Sequence, residues 1–545
     1  MTVTPYPEFF NDVFGPVMQP GSSSHTAGPC RLGYLAGCLL GEPVAKMRVE
    51  LDPEGSFAGT FGIMAEDRAM VAGVLGFLPD DERLFKAFEL AAEAGTEVEF
   101  AFATIAESSH PNAVKFVLTG RDGLMVTLVG DSTGGGMVQT VTLDGYPYRT
   151  IGDAYVLLVQ DPLGALSDDD LGRLGARFPA VLAAATVRGD GRGALHVFEL
   201  PADPDLEGVP DLVAGAAPVH RLALLRPVLP VVSRPGRKPQ LFDTMAEWRR
   251  LMAELDLPLW EVAVRYEMDA SGWPHAFVVE QMRELAQVMR RQTRAVYEED
   301  VEVIDTEFKP DFARRWLRHA ETPDRVTDGI TAQTVTYAYG AGAGIPGVEN
   351  VTGPMGGGAG YIHAALSAVQ EARGLSDDDL LRGLFVAAGV GAIAYTRTAP
   401  TGEVLGCTGE SGICGAMAAA AIAEMVGGTP EAVETAASLA LQAFMGLPCD
   451  PMPGGLGQPC RSRIMAAACT AHVFADLALA GHEAVLPLHE ALDVADRIGR
   501  ALPPELKCTS EGGCCTAPAA QARRAAYRRW FAESRPEDRP PGNMI

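Results

Sequence analysis

Three cysteines sit where the backbone is held stiff: Cys407 in GCTGESG, Cys449 in GLPCDP and Cys460 in GQPCR. The stretch GLPCDPMPGGLGQPCR, residues 446–461, has four prolines and four glycines and puts ten residues between Cys449 and Cys460. Glycine and proline fix the chain and let main-chain amides approach sulfur. That setting suits an iron–sulfur cluster, whose anionic sulfides gain from amide hydrogen bonds. It suits zinc poorly, because structural zinc usually draws on tight paired knuckles. Three thiolates on a four-iron cluster would leave one iron open as a Lewis acid for an oxygen leaving group. Buried structural thiols are the alternative reading of the same spacing.

A second chemical setting is PGSSSHTAGP, residues 20–29. Ser22, Ser23 and Ser24, then His25 and Thr26, open a helical run, so amides and hydroxyls gather at a positive helix end that favours a carboxylate. His25 could also act as an acid or base near neutral pH. A serine-rich helix cap accounts for the pattern equally well.

The elements that must carry these residues are legible in outline. At 545 residues the chain exceeds the size of a single core, so several domains are expected. Residues 1–150 mix a helical run, HTAGPCRLGYLAGCLLG, with short strands such as KMRVELD, EVEFAFA, AVKFVLTG and MVQTVTLDG, as in a small α+β domain. Residues 151–230 read βαββαβ, the ferredoxin-like order. A proline-rich linker, 231–239, precedes an all-α region at 240–520, and 521–545 reads as a surface helix and frayed tail. The fold class is therefore multidomain α+β.

Charge and composition narrow the partners. The net charge of −26, from 44 basic and 70 acidic residues, disfavours nucleic acid and anionic membrane surfaces. The opening MTVTPYPEFFNDVFG lacks the pattern of a signal peptide, and LFVAAGVGAIAY is expected to be too short to span a bilayer, so a cytoplasmic protein is expected. Eight of the ten cysteines follow residue 400, which places any thiol chemistry in the helical region.

Across both regions the chain resembles the bacterial iron–sulfur-dependent L-serine dehydratases, in their single-chain arrangement with the β-type region first. The matching stretches include GPVMQPGSSSHTAG (15–28), GSFAGTF (55–61), VAGVLGFLPDDER (71–83), HPNAVKF (110–116) and LDGYPY (143–148). In the C-terminal half they are GPMGGGAGYIHA (353–364), GCTGESGICGAMAAA (406–420), the 446–461 loop and PPELKCTSEGG (503–513). The resemblance implies that Cys407, Cys449 and Cys460 hold a [4Fe–4S] cluster with one iron serving the substrate. It also implies that Ser22, Ser23, Ser24 and Thr26 contribute to the substrate site, with His25 as the base and a serine of that run as its competitor. Arg397 and Glu410 would contact substrate, as would Gly357 in the glycine-rich turn. Segment 151–230 looks like an ACT-type domain. A homodimer with a small amino-acid substrate is expected.

The sequence also departs from the family's pattern. Met64 stands where a histidine is usual, hydroxyl positions in 353–364 have become glycine, and His363 replaces a proline. Cys508, Cys514 and Cys515 follow in KCTSEGGCC, with Cys508 the candidate fourth cluster ligand. The activity implied is β-elimination of L-serine to pyruvate and ammonia. The altered positions keep open another small β-hydroxy or β-thiol amino acid, or a regulatory, amino-acid-sensing paralogue without activity.

Overall fold

The computed structural model describes residues 6–534 apart from Ile63, Pro179, 190–192, Gly208, 210–220, Arg237, Ile304 and 354–357. The chain forms two compact units, one of residues 24–237 and one of residues 1–23 with 238–545. This differs from the expected boundaries at both ends of the first region, and packing explains each difference.

In the first unit, a six-stranded sheet runs in the order Glu97–Phe102, Val44–Leu51, Ala113–Gly120, Met125–Gly134, Met137–Leu143, Tyr146–Pro147. Only the Glu97–Phe102 and Val44–Leu51 pair is parallel. The strand Met125–Gly134 was not among the expected ones. Helix Gly28–Leu40 packs on this sheet and against helix Glu66–Val74. Those two helices touch backbone to backbone, because a Cβ at Gly73 would overlap the Cys30 carbonyl. The close approach fixes the helix that directly follows the serine-rich motif.

A second sheet, all antiparallel, has the order Arg221–Leu225, Tyr155–Asp161, Gly193–Leu200, Ala183–Gly189. Helix Asp168–Arg177, started by a capping box at Ser167, follows its first strand. These elements appear in the βαββαβ order read from the sequence, and the second helix of that reading, at 211–217, lies outside the described residues. One face of the sheet buries Leu157, Val159, Phe198 and Leu200 with Leu174 and Phe178 of the helix region. The other face sends Val156, Leu158, Leu195 and Val197 into the same core as Leu35, Leu39 and Leu118 of the six-stranded layer. Alternation along each strand thus supplies two apolar faces, so segment 151–230 has a core of its own on one face and shares a second with segment 1–150 on the other.

In the second unit the segment from residue 6 to residue 23 is built in. Phe9 stacks on Tyr266 at 5.1 Å and its amide donates to Glu267 Oε2 at 2.7 Å. Val17–Met18 pairs with Asn350–Val351, a two-residue ribbon in an otherwise helical region. The centre of the unit is helix Ile413–Met425, almost wholly buried and composed largely of alanine, with Asp377–Arg397, Pro430–Ala443 and Cys460–Leu479 packed around it. Small side chains on every face allow helices to surround it.

Among the described residues two helices, Asp377–Arg397 and Cys460–Leu479, are long and apolar enough to cross a membrane by length and composition. The first corrects the expectation for LFVAAGVGAIAY, which extends at its start through an aspartate-rich, Ser376-capped turn; 72% of its apolar window is buried inside the protein. At the C-terminus, the expected frayed piece begins inside helix Pro518–Glu533, where Tyr527 is fully buried and lies 5.2 Å from the Phe308 ring. Residues 535–545 lie outside the described residues.

Candidate functional site

The thiols are positioned by three segments of the helical unit. Gly406 has φ 63° and ends helix Gly402–Leu405; a Cβ there would overlap the Leu447 carbonyl, so only glycine lets the two loops meet. The Cys407 amide then donates to Leu447 O at 2.9 Å. Thr408 strengthens the junction, donating to Phe444 O at 3.0 Å and accepting from the Leu447 amide at 3.2 Å. Cys407 is buried with its Sγ 3.1 Å from Ser411 Oγ, just ahead of the central helix.

Cys449 is buried in an extended strand-like contact with the C-terminal segment. Its amide donates to Leu506 O at 2.8 Å, and its carbonyl accepts from the Cys508 amide at 2.8 Å. Cys449 and Lys507 form a parallel bridge, and Cys508 sits at φ 65°. That left-handed conformation is costly for a side chain with a Cβ, on the order of 1–3 kcal/mol. The Cys508 thiol is electrostatically coupled to the Cys449 thiol. Cys460 begins helix Cys460–Leu479, at the positive end that favours a thiolate.

Electrostatics tie these sulfurs together. The Cys508 hydrogen bond, then burial, then Cys508, Glu410 and Cys460 push the Cys449 thiol well up. Burial, then Glu410, Cys407 and Cys508 do the same for Cys460. Cys407 is pushed up to about 11 by burial and by Glu410, with Ser411 and Arg463 opposing. For Cys508 the Cys449 hydrogen bond pulls down, but burial, Glu403 and Glu410 leave it raised. Glu410 is itself raised to about 7 by burial and by Glu403, against Arg463. Cys407, Cys449, Cys460, Cys508 and Glu410 therefore make one mutually interacting group.

Among the described residues no three His, Cys, Asp or Glu side chains stand in metal-coordinating geometry. The donor chemistry nevertheless fits a soft, electron-rich metal group. Cys407, Cys449, Cys460 and Cys508 are electrostatically coupled with raised affinities for their protons, and the Arg463 cation opposes that rise at Cys407 and Cys460. Thiols held protonated in this way exchange protons for metal on binding. Of the other two late cysteines, Cys514 is exposed and Cys515 is buried with its Sγ donating to Gly512 O at 2.6 Å.

The serine-rich motif is a π-helical turn, Ser23–Ala27, leading into helix Gly28–Leu40. His25 is buried, with Nδ1 2.9 Å from Ser24 Oγ and Nε2 2.9 Å from Ser56 Oγ. Its ring meets Phe57 edge-on at 5.3 Å. Burial lowers its pKa to about 4, so the imidazole is neutral at neutral pH. Thr26 Oγ1 donates to Met64 O at 2.6 Å, and Ser132 Oγ donates to Ser24 O at 2.7 Å. Ser22 is half-buried and Ser23 buried. Ser56 was missed as a site residue, although the GSFAGTF motif that contains it was singled out.

The remaining expected positions are placed as follows. Arg397 is taken up by Asp243, at 3.0 Å, and Asp493, at 3.8 Å, so it braces the end of its helix. Gly357 lies outside the described residues. His363 is buried on helix Gly358–Arg373 with Nδ1 3.3 Å from Ser367 Oγ, and burial, then Arg294 and Arg290, lower its pKa to about 3. It lines a cavity of about 140 Å³ with Arg290, Gln287 and Gln370. Asp450 and Arg463, which the sequence reading passed over, brace the thiol loop at 2.6 Å.

These features define a two-unit α+β protein with a buried multi-thiol centre in its helical unit and a histidine–serine turn in its sheet unit. A family model described as serine dehydratase alpha chain matches residues 254–515. The L-serine dehydratase beta chain of Peptoniphilus asaccharolyticus is 37% identical over 160 residues, covering 29% of this chain and 70% of that protein. The alpha chain from the same organism is 27% identical over 277 residues, or 50% of this chain and 94% of that one. The L-serine dehydratase of Mycobacterium tuberculosis is 32% identical over 232 residues, covering 41% of this chain and 46% of that protein. The chain belongs to the L-serine dehydratase family.

Proposed function

We propose that this protein is a cytoplasmic carbon–oxygen lyase that dehydrates L-serine to pyruvate and ammonia with the help of a [4Fe–4S] cluster. What supports the reading is the electrostatic coupling of Cys407, Cys449 and Cys460, with Cys508 as the candidate fourth ligand. Its relatives are named for L-serine dehydration, which supports the substrate. All ten cysteines are free, which agrees with a reducing compartment.

When bound, the cluster would supply a Lewis acid that makes serine's hydroxyl a better leaving group. Other tasks fall to the chain's own residues. His25 has a neutral imidazole above about pH 4 and is assigned the removal of the α-proton. Its hydroxyl partners Ser24 and Ser56 hold the ring in place. Glu410, raised to about 7, ionises near working pH and is assigned the substrate ammonium. Loss of the α-proton and of hydroxide gives aminoacrylate, which tautomerises and hydrolyses to the keto acid and ammonia.

The test is anaerobic purification followed by iron and sulfide analysis, absorption near about 400 nm, and keto-acid release from a panel of amino acids. Brown protein that releases pyruvate from L-serine supports the reading. Iron-free protein that is inert on the whole panel overturns it.

A further inference from the structure

We propose that Asp450 and Arg463 are positioning residues that lock the three late thiol-bearing segments to one another; the functional weight of this pin rests on the cluster reading above. Arg463 lies one turn after Cys460 on the same helix. Its Nη1 donates to Asp450 Oδ1 at 2.6 Å and to Pro448 O at 2.6 Å. Those acceptors belong to the residues on either side of Cys449, so one guanidinium grips the Cys449 loop from both flanks while its own helix carries Cys460.

The second Asp450 oxygen reaches the third segment. Oδ2 accepts from the Cys514 amide at 2.7 Å, and the carboxylate packs so closely on Gly513, φ 62°, that a Cβ there would overlap it. The chain between Cys508 and Cys514 is thereby anchored at both ends, at Cys508 by the Cys449 carbonyl and at Cys514 by Asp450. Asp450 is 1% exposed. A charge-assisted bond in such a place is strong and directional.

Arg463 has a second effect on the same thiols. It opposes the upward push on Cys407, Cys460 and Glu410, and is the cation common to all three. The pin thus brings positive charge to the place where ionised thiolates and sulfides would accumulate.

The experiment compares the full-length protein with Asp450→Asn, Arg463→Gln, Arg463→Lys and Gly513→Ala, reading bound iron and sulfide and amide hydrogen exchange over residues 505–515. Asp450→Asn and Arg463→Gln are expected to lower iron retention under chelator challenge roughly 10–100-fold and to speed exchange at 505–515 roughly tenfold. Arg463→Lys should restore part of both. Gly513→Ala, which keeps every charge and crowds the carboxylate, should speed exchange in the same segment. Arg500→Gln, which removes an exposed pair with Asp496, should change neither readout. Unchanged exchange in Asp450→Asn and Arg463→Gln would overturn the pin, with or without iron in the wild-type protein. Absence of iron from wild type, with exchange altered in the variants, would instead remove the cluster reading and leave the pin standing.

Discussion

The Cys508 amide donates to the Cys449 carbonyl at 2.8 Å, and the two thiols are electrostatically coupled. A residue 59 positions further along the chain is thereby made the immediate neighbour of a thiol in the 446–461 loop. The two residues nevertheless differ in overall exposure, Cys449 being buried and Cys508 half-buried, while burial acts on both thiols.

That difference gives unequal mutational effects. Cys449→Ser, like Cys407→Ser and Cys460→Ser, should lower bound iron and pyruvate formation by at least roughly tenfold. Cys508→Ser should keep most of the iron and change the cluster's electron paramagnetic resonance signal. Metal analysis and spectroscopy of the four variants check this, and equal iron loss in all four would remove the distinction.

His25 and His363 make stability fall on acidification. Both have folded pKa values below the ordinary 6.5, at about 4 and about 3, so the unfolded chain binds protons first as pH drops. Their stabilising contribution is complete above about 6.5 and is lost as pH falls toward 4, at about 1.4 kcal/mol per histidine per pH unit. Denaturant unfolding at stepped pH should show this slope, and His363→Gln should flatten part of it.

Glu410 acts in the opposite direction. Its folded pKa of about 7 exceeds the ordinary value of 4.5, so its contribution is present at low pH and lost as pH rises from 4.5 through 7. In metal-free protein, Glu410→Gln should therefore stabilise the helical unit above pH 7 by about 1–3 kcal/mol, while activity on L-serine falls. Thermal melts across pH 5–8 decide it; a variant less stable than wild type at pH 8 would contradict the assignment.

Tyr527 tests the link between the last described helix and the thiols. Its ring is fully buried against Phe308 and Trp530. Tyr527→Ala should cost about 3–5 kcal/mol and loosen the segment that precedes it, which proteolysis at residues 505–517 would register.

Much of the architecture was legible locally. Apolar, β-branched runs marked Val44–Leu51 and Tyr155–Asp161, and the run from Ser167 marked a helix, whereas the helix start at Ser376 was missed. Cys407, Cys449 and Cys460 stood out because glycine and proline around a thiol are unusual in themselves. Less legible were features set by distant partners. Nothing near Arg397 signals that Asp243 and Asp493 will occupy it, and nothing near Val156 or Val197 signals that their face will join the core of the preceding layer.

The sequence by itself determined the element types, the stiff thiol loops and the histidine within its serine run, because each depends on periodicity or backbone restriction over a few residues. Tertiary structure alone decided that Cys508 meets Cys449, that Arg463 reaches across to Asp450, and that residues 6–23 pack with the helical unit. Those choices follow from which apolar surfaces exclude water together, and burial of that kind is settled between segments far apart in the chain.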